Sequence, residues 1–462
     1  MKNQCVNPFL PSWEYIPDGE PHVFDGRVYV YGSHDRAGGW VFCLNDYVCW
    51  SAPVDDLSDW RYEGIIYKKT NDPLNTDGHM CLYAPDVSCG PDGRYYLYYV
   101  LDKVNIVSVA VCDYPAGQYE FYGYVRYPDG TRLGEREGDE PQFDPGVLTE
   151  GDITYMYTGF CGHGDKSRSG CMATVLEKDM LTIKEEPKII IPGNCYGEGT
   201  GFEKHEYFEA ASIRKVNDLY YLIYSATPMT ELCYAVSKYP THGFTYGGVI
   251  VSNCDLYIDT YKPAKKHAYM LGNNHGSIAM IKDKWYIFYH RMSNGTWFSR
   301  QACMEEIKVT AEGEIPQVEM TSLGGNGKPL AGQGEYPAYI ACNLYHEEND
   351  DYFPRVTQDG GDGDTDLAYI TGITDGCVVG FKYFDFKGLK KITIFTRGYN
   401  RGTFEIYLTP NGECCGTIPI VSSNVWKEFS TAVTIPDGVS GLYFKYKSES
   451  ENGASVRVVR FE

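Results

Sequence analysis

"DGRVYVYGSHD" (residues 25–35) alternates aromatic and aliphatic side chains after a polar Asp-Gly turn, and the pattern returns four times along the chain. The echoes are "DGRYYLYYVLD" (92–102), "GDITYMYTGF" (151–160), "NDLYYLIYSAT" (217–227) and "KDKWYIFYHRM" (282–292). Alternation with period two marks strands and not helices. Taking Tyr29, Tyr96, Tyr155, Tyr221 and Tyr286 as markers, the unit recurs about every 65 residues. A second short strand precedes each copy: "EPHVF", "PDVSC", "PGVL", "ASIRKV" and "SIAMI". The unit is therefore a hairpin with room for two further strands. Four antiparallel strands per unit, set radially, make propeller blades. The spacing predicts a five-bladed β-propeller over residues 1–322. A large β-sandwich with insertions is the alternative, and it gives no reason for a regular interval.

Composition agrees with strands and tight turns: 41 tyrosines, 50 glycines and 24 prolines in 462 residues. Aromatic and β-branched side chains favour strands, and glycine and proline favour turns. A formal net charge of −21 argues against nucleic acid and anionic membrane surfaces as partners. The opening stretch "MKNQCVNPFLPSWEY" has no apolar signal core, and no run of about 18 apolar residues could span a bilayer. Sixteen cysteines are scattered without CxxC pairs or zinc-like spacing. They read as reduced, packed thiols, and the expected location is cytoplasmic.

About eleven residues before each marker tyrosine stand Asp18, Asp86, Asp144, Glu209 and His275. Inner strands line a propeller axis, so five equivalent positions should converge on one central pocket. Four carboxylates and a histidine facing one another repel, an arrangement that chemistry or a bound cation explains better than turn formation does. Any one of these acids taken alone could be a turn or capping residue. Hydrolysis of a glycosidic bond needs one carboxyl group as proton donor and a second to activate water or attack carbon. A third acid nearby can raise the donor's pKa. Glu209, the longest of the acids and flanked by Phe208 and Ala210, is the expected donor. Asp18, two blades away through the closure, is the expected base, and Asp144, one blade before Glu209, the modulator. Base and acid on different blades leave room for a water, which favours inversion. His275 is the candidate metal residue, for an axial ion such as calcium with waters completing its shell. No organic cofactor is expected.

The motifs "PDGEPHVFDGRVYVYGSHD", "YAPDV", "FDPGV", "FEAAS" and "NNHGS" together resemble glycoside hydrolase family 43, over about residues 5–320. That resemblance implies a five-bladed propeller and an inverting mechanism, with β-xylosidases and α-L-arabinofuranosidases among the members. It places the base at Asp18, with Glu20 as a rival because it and not Asp18 precedes a proline. It matches Asp144 to the modulator, Glu209 to the acid, and His275 to a histidine that helps hold a central cation, often calcium. Asp86 stands where the family has "WAPD" and could contact sugar hydroxyls or support the pocket wall. Arg300 in "WFSRQACMEEI" matches an arginine near the acids, with a surface ion pair as the alternative. His34, Trp40 and Phe160 follow strand ends on the same side and are further candidates for the sugar subsite.

After a glycine-rich stretch, "SLGGNGKPLAGQGEY", residues 336–462 alternate again in short strands such as "CVVGFKYFDF" and "GLYFKYKS". They predict a β-sandwich of jelly-roll type. It resembles carbohydrate-binding module family 6, which could cover the pocket or merely stabilise the propeller. Trp426 fits a core strand better than a sugar platform. The expected activity is exo-acting release of arabinofuranose or xylose from arabinose- or xylose-containing oligosaccharides. β-Xylosidase activity alone and a non-catalytic sugar-binding propeller are the rivals. Five-bladed enzymes acting on fructosides would want an "NDPNG"-type motif near the start, which is absent.

Overall fold

The computed structural model describes residues 4–462. The first three residues of the stretch inspected for an export signal lie outside the described residues. Regular structure is strand, with four short 3-10 turns and no α-helix among the described residues.

Each hairpin grows into a blade. Blade I comprises Glu20–Phe24, Arg27–Tyr31, Tyr47–Pro53 and Arg61–Tyr67, and blade II Asp86–Cys89, Tyr95–Tyr99, Ser108–Cys112 and Glu120–Tyr124. Blade III comprises Gly146–Glu150, Ile153–Thr158, Gly170–Leu176 and Ile183–Pro192. Blade IV comprises Tyr207–Val216, Leu219–Ala226, Glu231–Ser237 and Thr245–Ser252. The strands within each blade pair in chain order and antiparallel, as the repeat predicts. Blade V differs. Among the described residues it holds three strands, Ile278–Ile281, Lys284–Arg291 and Gln301–Ile307.

The edge left open on blade V is closed by the chain's beginning. The Phe9 N–H donates to the Ala302 carbonyl at 3.2 Å. The Asn7 carboxamide meets both backbone groups of Met304, donating to its oxygen at 2.8 Å and accepting from its N–H at 2.9 Å. A side-chain amide thus stands in for a strand peptide and satisfies an edge that would otherwise be open to pairing with other chains. The ring closes at the front as well, where Gly19 bridges Gly276 in parallel.

Beyond the propeller, two six-stranded sheets form the second domain. Their facing sides are apolar: Phe381, Phe404 and Phe444 from one sheet meet Ile394, Val456 and Val459 from the other, all buried. The same core runs on into blades IV and V through Ile250, Ala268 and Tyr289, so the sandwich is docked by burial and not merely tethered. The buried Lys382–Asp255 ion pair, 2.9 Å, crosses this junction. The glycine-rich stretch contributes strands of its own. Leu330–Ala331 pairs with Phe384–Asp385, and Gly334–Pro337 pairs with Val458–Phe461. Trp426 is not a core residue. It sits half-buried on Ser423–Ala432, whose side chains are largely exposed, with the Arg397 and Arg457 guanidinium groups 4.5 and 5.8 Å from its ring.

Candidate active site

Strand register sorts the axial side chains into layers. Glu20 pairs with Tyr31, Asp86 with Tyr98, Gly146 with Tyr157 and Ser212 with Ile223, each partner two residues past its marker tyrosine. Ser277 takes the same level through its carbonyl, which accepts from the Phe288 N–H. One step nearer the mouth stand Asp18, Ala84, Asp144, Glu209 and His275, and all five line one cavity of about 360 Å³.

Local backbone conformation aims these groups. Asp18 and Asp144 have φ of 57° and 42°, a region most side chains avoid and one that active sites use to hold a group in place. Glu209 pairs with Ser225, and the register slips on both sides of it, a bulge that turns the carboxyl onto the ring level. Ala210, next in sequence, takes φ 68°. The bulge also explains why Glu209 lies one residue farther from its marker tyrosine than Asp18 does.

The electrostatics divide the acids. Burial alone would raise the Asp18 carboxyl, but the neighbouring basic side chains, Arg300 foremost, outweigh it and hold it below its ordinary value. The Arg300 Nη1 donates to Asp18 Oδ1 at 2.9 Å, while Nε and Nη2 clasp Asp35 at 2.8 and 3.1 Å. Buried His290 is pressed down to about 3 by burial and by Arg300, so its imidazole is neutral near pH 7. It accepts the Asp18 N–H on Nδ1 at 3.2 Å and donates from Nε2 to the Asn273 carbonyl at 2.8 Å. Glu209 goes the other way. Burial lifts it to about 7, against the counter-pull of His275 and of Asn273, which donates to it at 3.3 Å. Asp144 is raised well above its ordinary value by burial and by the charge of Glu209. His275 Nδ1 stands 3.6 Å from Asp144 and 3.9 Å from Asp18. Its carboxylate neighbours, Glu20 foremost, outweigh burial and raise it to about 9.

The cavity brings together Asp18, Asp144, Glu209, His275, Phe160 and Arg300 among the residues singled out from sequence. Four do not belong to its wall. Asp86 is the first residue of its strand and stands level with Glu20, one layer below the ring. Its oxygens are taken by His22 Nε2 at 2.7 Å and by the backbone N–H groups of Val87 and Val147, and Asp86 lies outside the cavity's lining. The ring position in blade II belongs to Ala84. His34 is held off the cavity by Glu14 at 2.9 Å and the Asp46 carbonyl at 2.8 Å. Trp40 is exposed on an outer loop. Glu20 lies under the ring with Oε2 bonded to Arg214 and Ser212.

Sequence reasoning missed most of the wall: Phe42, Tyr83, Phe143, Phe208, Met229, Asn273 and Trp297. In a chain this rich in aromatics those rings carry no distinguishing signal. Asn273 had one, as the first residue of "NNHGS".

The resemblance implies an axial calcium at His275, and the side chains beneath that residue offer such an ion few free oxygens. Calcium takes six to eight oxygens. Of the four carboxylate oxygens of Glu20 and Asp86, only Glu20 Oε1 is buried without a partner. Next to it stands a guanidinium, with Arg214 Nη2 2.7 Å from Glu20 Oε2.

A carboxyl held neutral and a carboxylate held ionised across one small cavity are what cleavage of a glycosidic acetal requires, and on this scaffold they define a glycoside hydrolase. The model of the Glycosyl hydrolases family 43 matches residues 8–315, and the chain belongs to that family. It is 66% identical over 97% of its length, and 97% of the relative's, to a xylosidase/arabinosidase of Thermoclostridium stercorarium. A solved family 43 β-xylosidase/α-arabinofuranosidase from a compost metagenome, bound to xylotriose, is 27% identical with a TM-score of 0.53, over 69% of this chain and 98% of that one. The family 43 arabinoxylan arabinofuranohydrolase of Bacillus subtilis covers 98% of this chain and 97% of its own at a TM-score of 0.54. At 20% identity it shares the fold, propeller and sandwich together.

Proposed function

We propose that this glycoside hydrolase releases single pentoses, α-L-arabinofuranosyl and β-D-xylosyl, from hemicellulose-derived oligosaccharides with inversion. In this reading Asp18 is the base that takes a proton from water, Glu209 the acid that protonates the leaving oxygen, and Asp144 the modulator that favours the protonated acid. Phe160 and the other rings of the wall pack against the sugar, and Arg300 keeps Asp18 ionised. The observation that carries the reading is the opposite displacement of two carboxyls in one cavity, Asp18 down and Glu209 up to about 7. The choice of sugars is supported by the 66% identical xylosidase/arabinosidase. A cavity of about 360 Å³ is near the low end for ligand sites, which suits one terminal residue and hence exo action. Sixteen free cysteines fit a cytoplasmic, reducing location. Residues 1–322 carry the chemistry, and 336–462 form a sandwich of carbohydrate-binding-module type that stiffens the propeller.

A panel of nitrophenyl pentosides and hexosides followed by NMR of the first-formed anomer tests this. Hydrolysis of α-L-arabinofuranoside and β-D-xyloside with inverted products is expected. Retained configuration, or a preference for hexosides, overturns it.

The pH dependence follows from the same two groups. The reaction needs Glu209 protonated and Asp18 ionised. Glu209 loses its proton through about 7, so kcat/KM should fall about tenfold per pH unit above neutrality. Asp18, held below its ordinary value of 3.8, sets the acidic limb there or lower. A pH–rate profile on an unactivated pentoside measures both limbs, and activity that keeps rising above neutrality contradicts the assignment.

A further inference from the structure

The axis under the catalytic ring holds two buried carboxylates, Glu20 and Asp86, at one level. Neither touches the cavity. The next layer down, two residues further along each inner strand, presents His22 from blade I and Arg214 from blade IV. Each reaches up to one of the acids. His22 Nε2 meets Asp86 Oδ1 at 2.7 Å, and Arg214 Nη2 meets Glu20 Oε2 at 2.7 Å.

Blades I and IV are not neighbours, since blade V stands between them, so Arg214 reaches from one to the other at the axis. The same Nη2 contacts the Pro21 carbonyl at 3.2 Å and lies 3.4 Å from His22 Nε2. Its Nη1 donates to the Ile213 carbonyl at 2.8 Å. Carboxylate oxygens of Glu20 and Asp86 and a nitrogen of His22 lie within 4.8 Å of one another, the grouping of a cation site. The guanidinium is packed against that grouping. Above it, the other Glu20 oxygen faces His275 Nε2 at 3.7 Å, and His275 in turn faces Asp144 and Asp18.

We infer that Arg214 is the built-in cation of this propeller axis: its guanidinium takes the place of a divalent ion, neutralises Glu20 and through it positions His275 under the catalytic carboxylates. A planar cation with several donors suits the task, because it satisfies a carboxylate and two backbone carbonyls at once. The consequence is metal-independent hydrolysis. Removing the guanidinium should uncover a cage of Glu20, His22 and Asp86 that accepts a hard divalent ion with water filling the remaining positions.

The test compares wild type with Arg214→Ala and the double variant Arg214→Ala/Glu20→Gln. Calcium uptake is read by calorimetry, melting temperature with and without calcium, and kcat on a nitrophenyl pentoside. Wild type treated with a chelator should keep its kcat and melting temperature and show no calcium uptake at millimolar concentration. Arg214→Ala should lose about tenfold in kcat, bind one calcium, and recover both kcat and melting temperature with it. The double variant should bind none. Should Arg214→Ala refold only when calcium is supplied, the gain is read from refolding yield instead. Calcium-dependent activity or stability in wild type overturns the inference, as does an Arg214→Ala protein that takes up no calcium. The activity arm rests on the pentosidase reading, whereas calcium uptake and melting are independent of any sugar, so failure of one is told apart from failure of the other.

Discussion

Glu209→Ala should lower kcat on sugar-linked and alkyl pentosides by about 10²–10⁴-fold, the usual worth of a general acid. Dinitrophenyl pentosides, whose leaving group departs without a proton, should lose less than about tenfold. The fold should survive. Glu209 is buried with a carboxyl lifted to about 7, so below neutrality its removal takes away a largely protonated group. The one side-chain partner left unmatched is the Asn273 amide, which donates at 3.3 Å. The basic limb of the pH profile should vanish with the side chain, because nothing else in the ring must stay protonated. Comparing kcat across leaving groups, with melting curves alongside, separates this from a structural defect. Full activity of the variant on natural linkages would remove Glu209 from the mechanism.

Asp18→Asn should behave differently. A base acts on the water and not on the leaving group, so every substrate should fall together, again by about 10²–10⁴-fold. The asparagine oxygen can still accept from Arg300 Nη1, and Asp35 still clasps that guanidinium from the other side, so stability should change little. Glu20→Gln provides the contrast. Its carboxylate lies below the ring, so the expected loss in kcat is at most about tenfold. Its cost falls on stability instead, about 1.5–3 kcal/mol, because the half-buried Arg214 loses its counter-charge. Should Glu20→Gln prove the deeper loss of activity, with Asp18→Asn active, the base has been misplaced by one layer.

That one-layer ambiguity shows how far the sequence reaches. Asp18, Asp144, Glu209 and His275 were legible because each stands before a strand whose alternation repeats, and the repeat itself implies an axis. Asp86, reached by the same logic, stands one layer lower. It lies ten residues before Tyr96, where Asp18 lies eleven before Tyr29, and one residue of offset moves it to the start of the strand. Glu209 escaped the parallel shift only because a bulge absorbs its extra residue.

The chain by itself determined the number of blades and the sandwich behind them and singled out the candidate acids, since these follow from local alternation and spacing. Folding decided which acid faces the cavity and which charge answers it. Residues two apart on an inner strand point to the same axis at different depths, so pattern cannot tell mouth from floor. Charge compensation reaches across hundreds of residues: Arg300 meets Asp18 and Asp35, and Arg214 meets Glu20. Such pairs arise from closing the ring, and no stretch of sequence contains both partners.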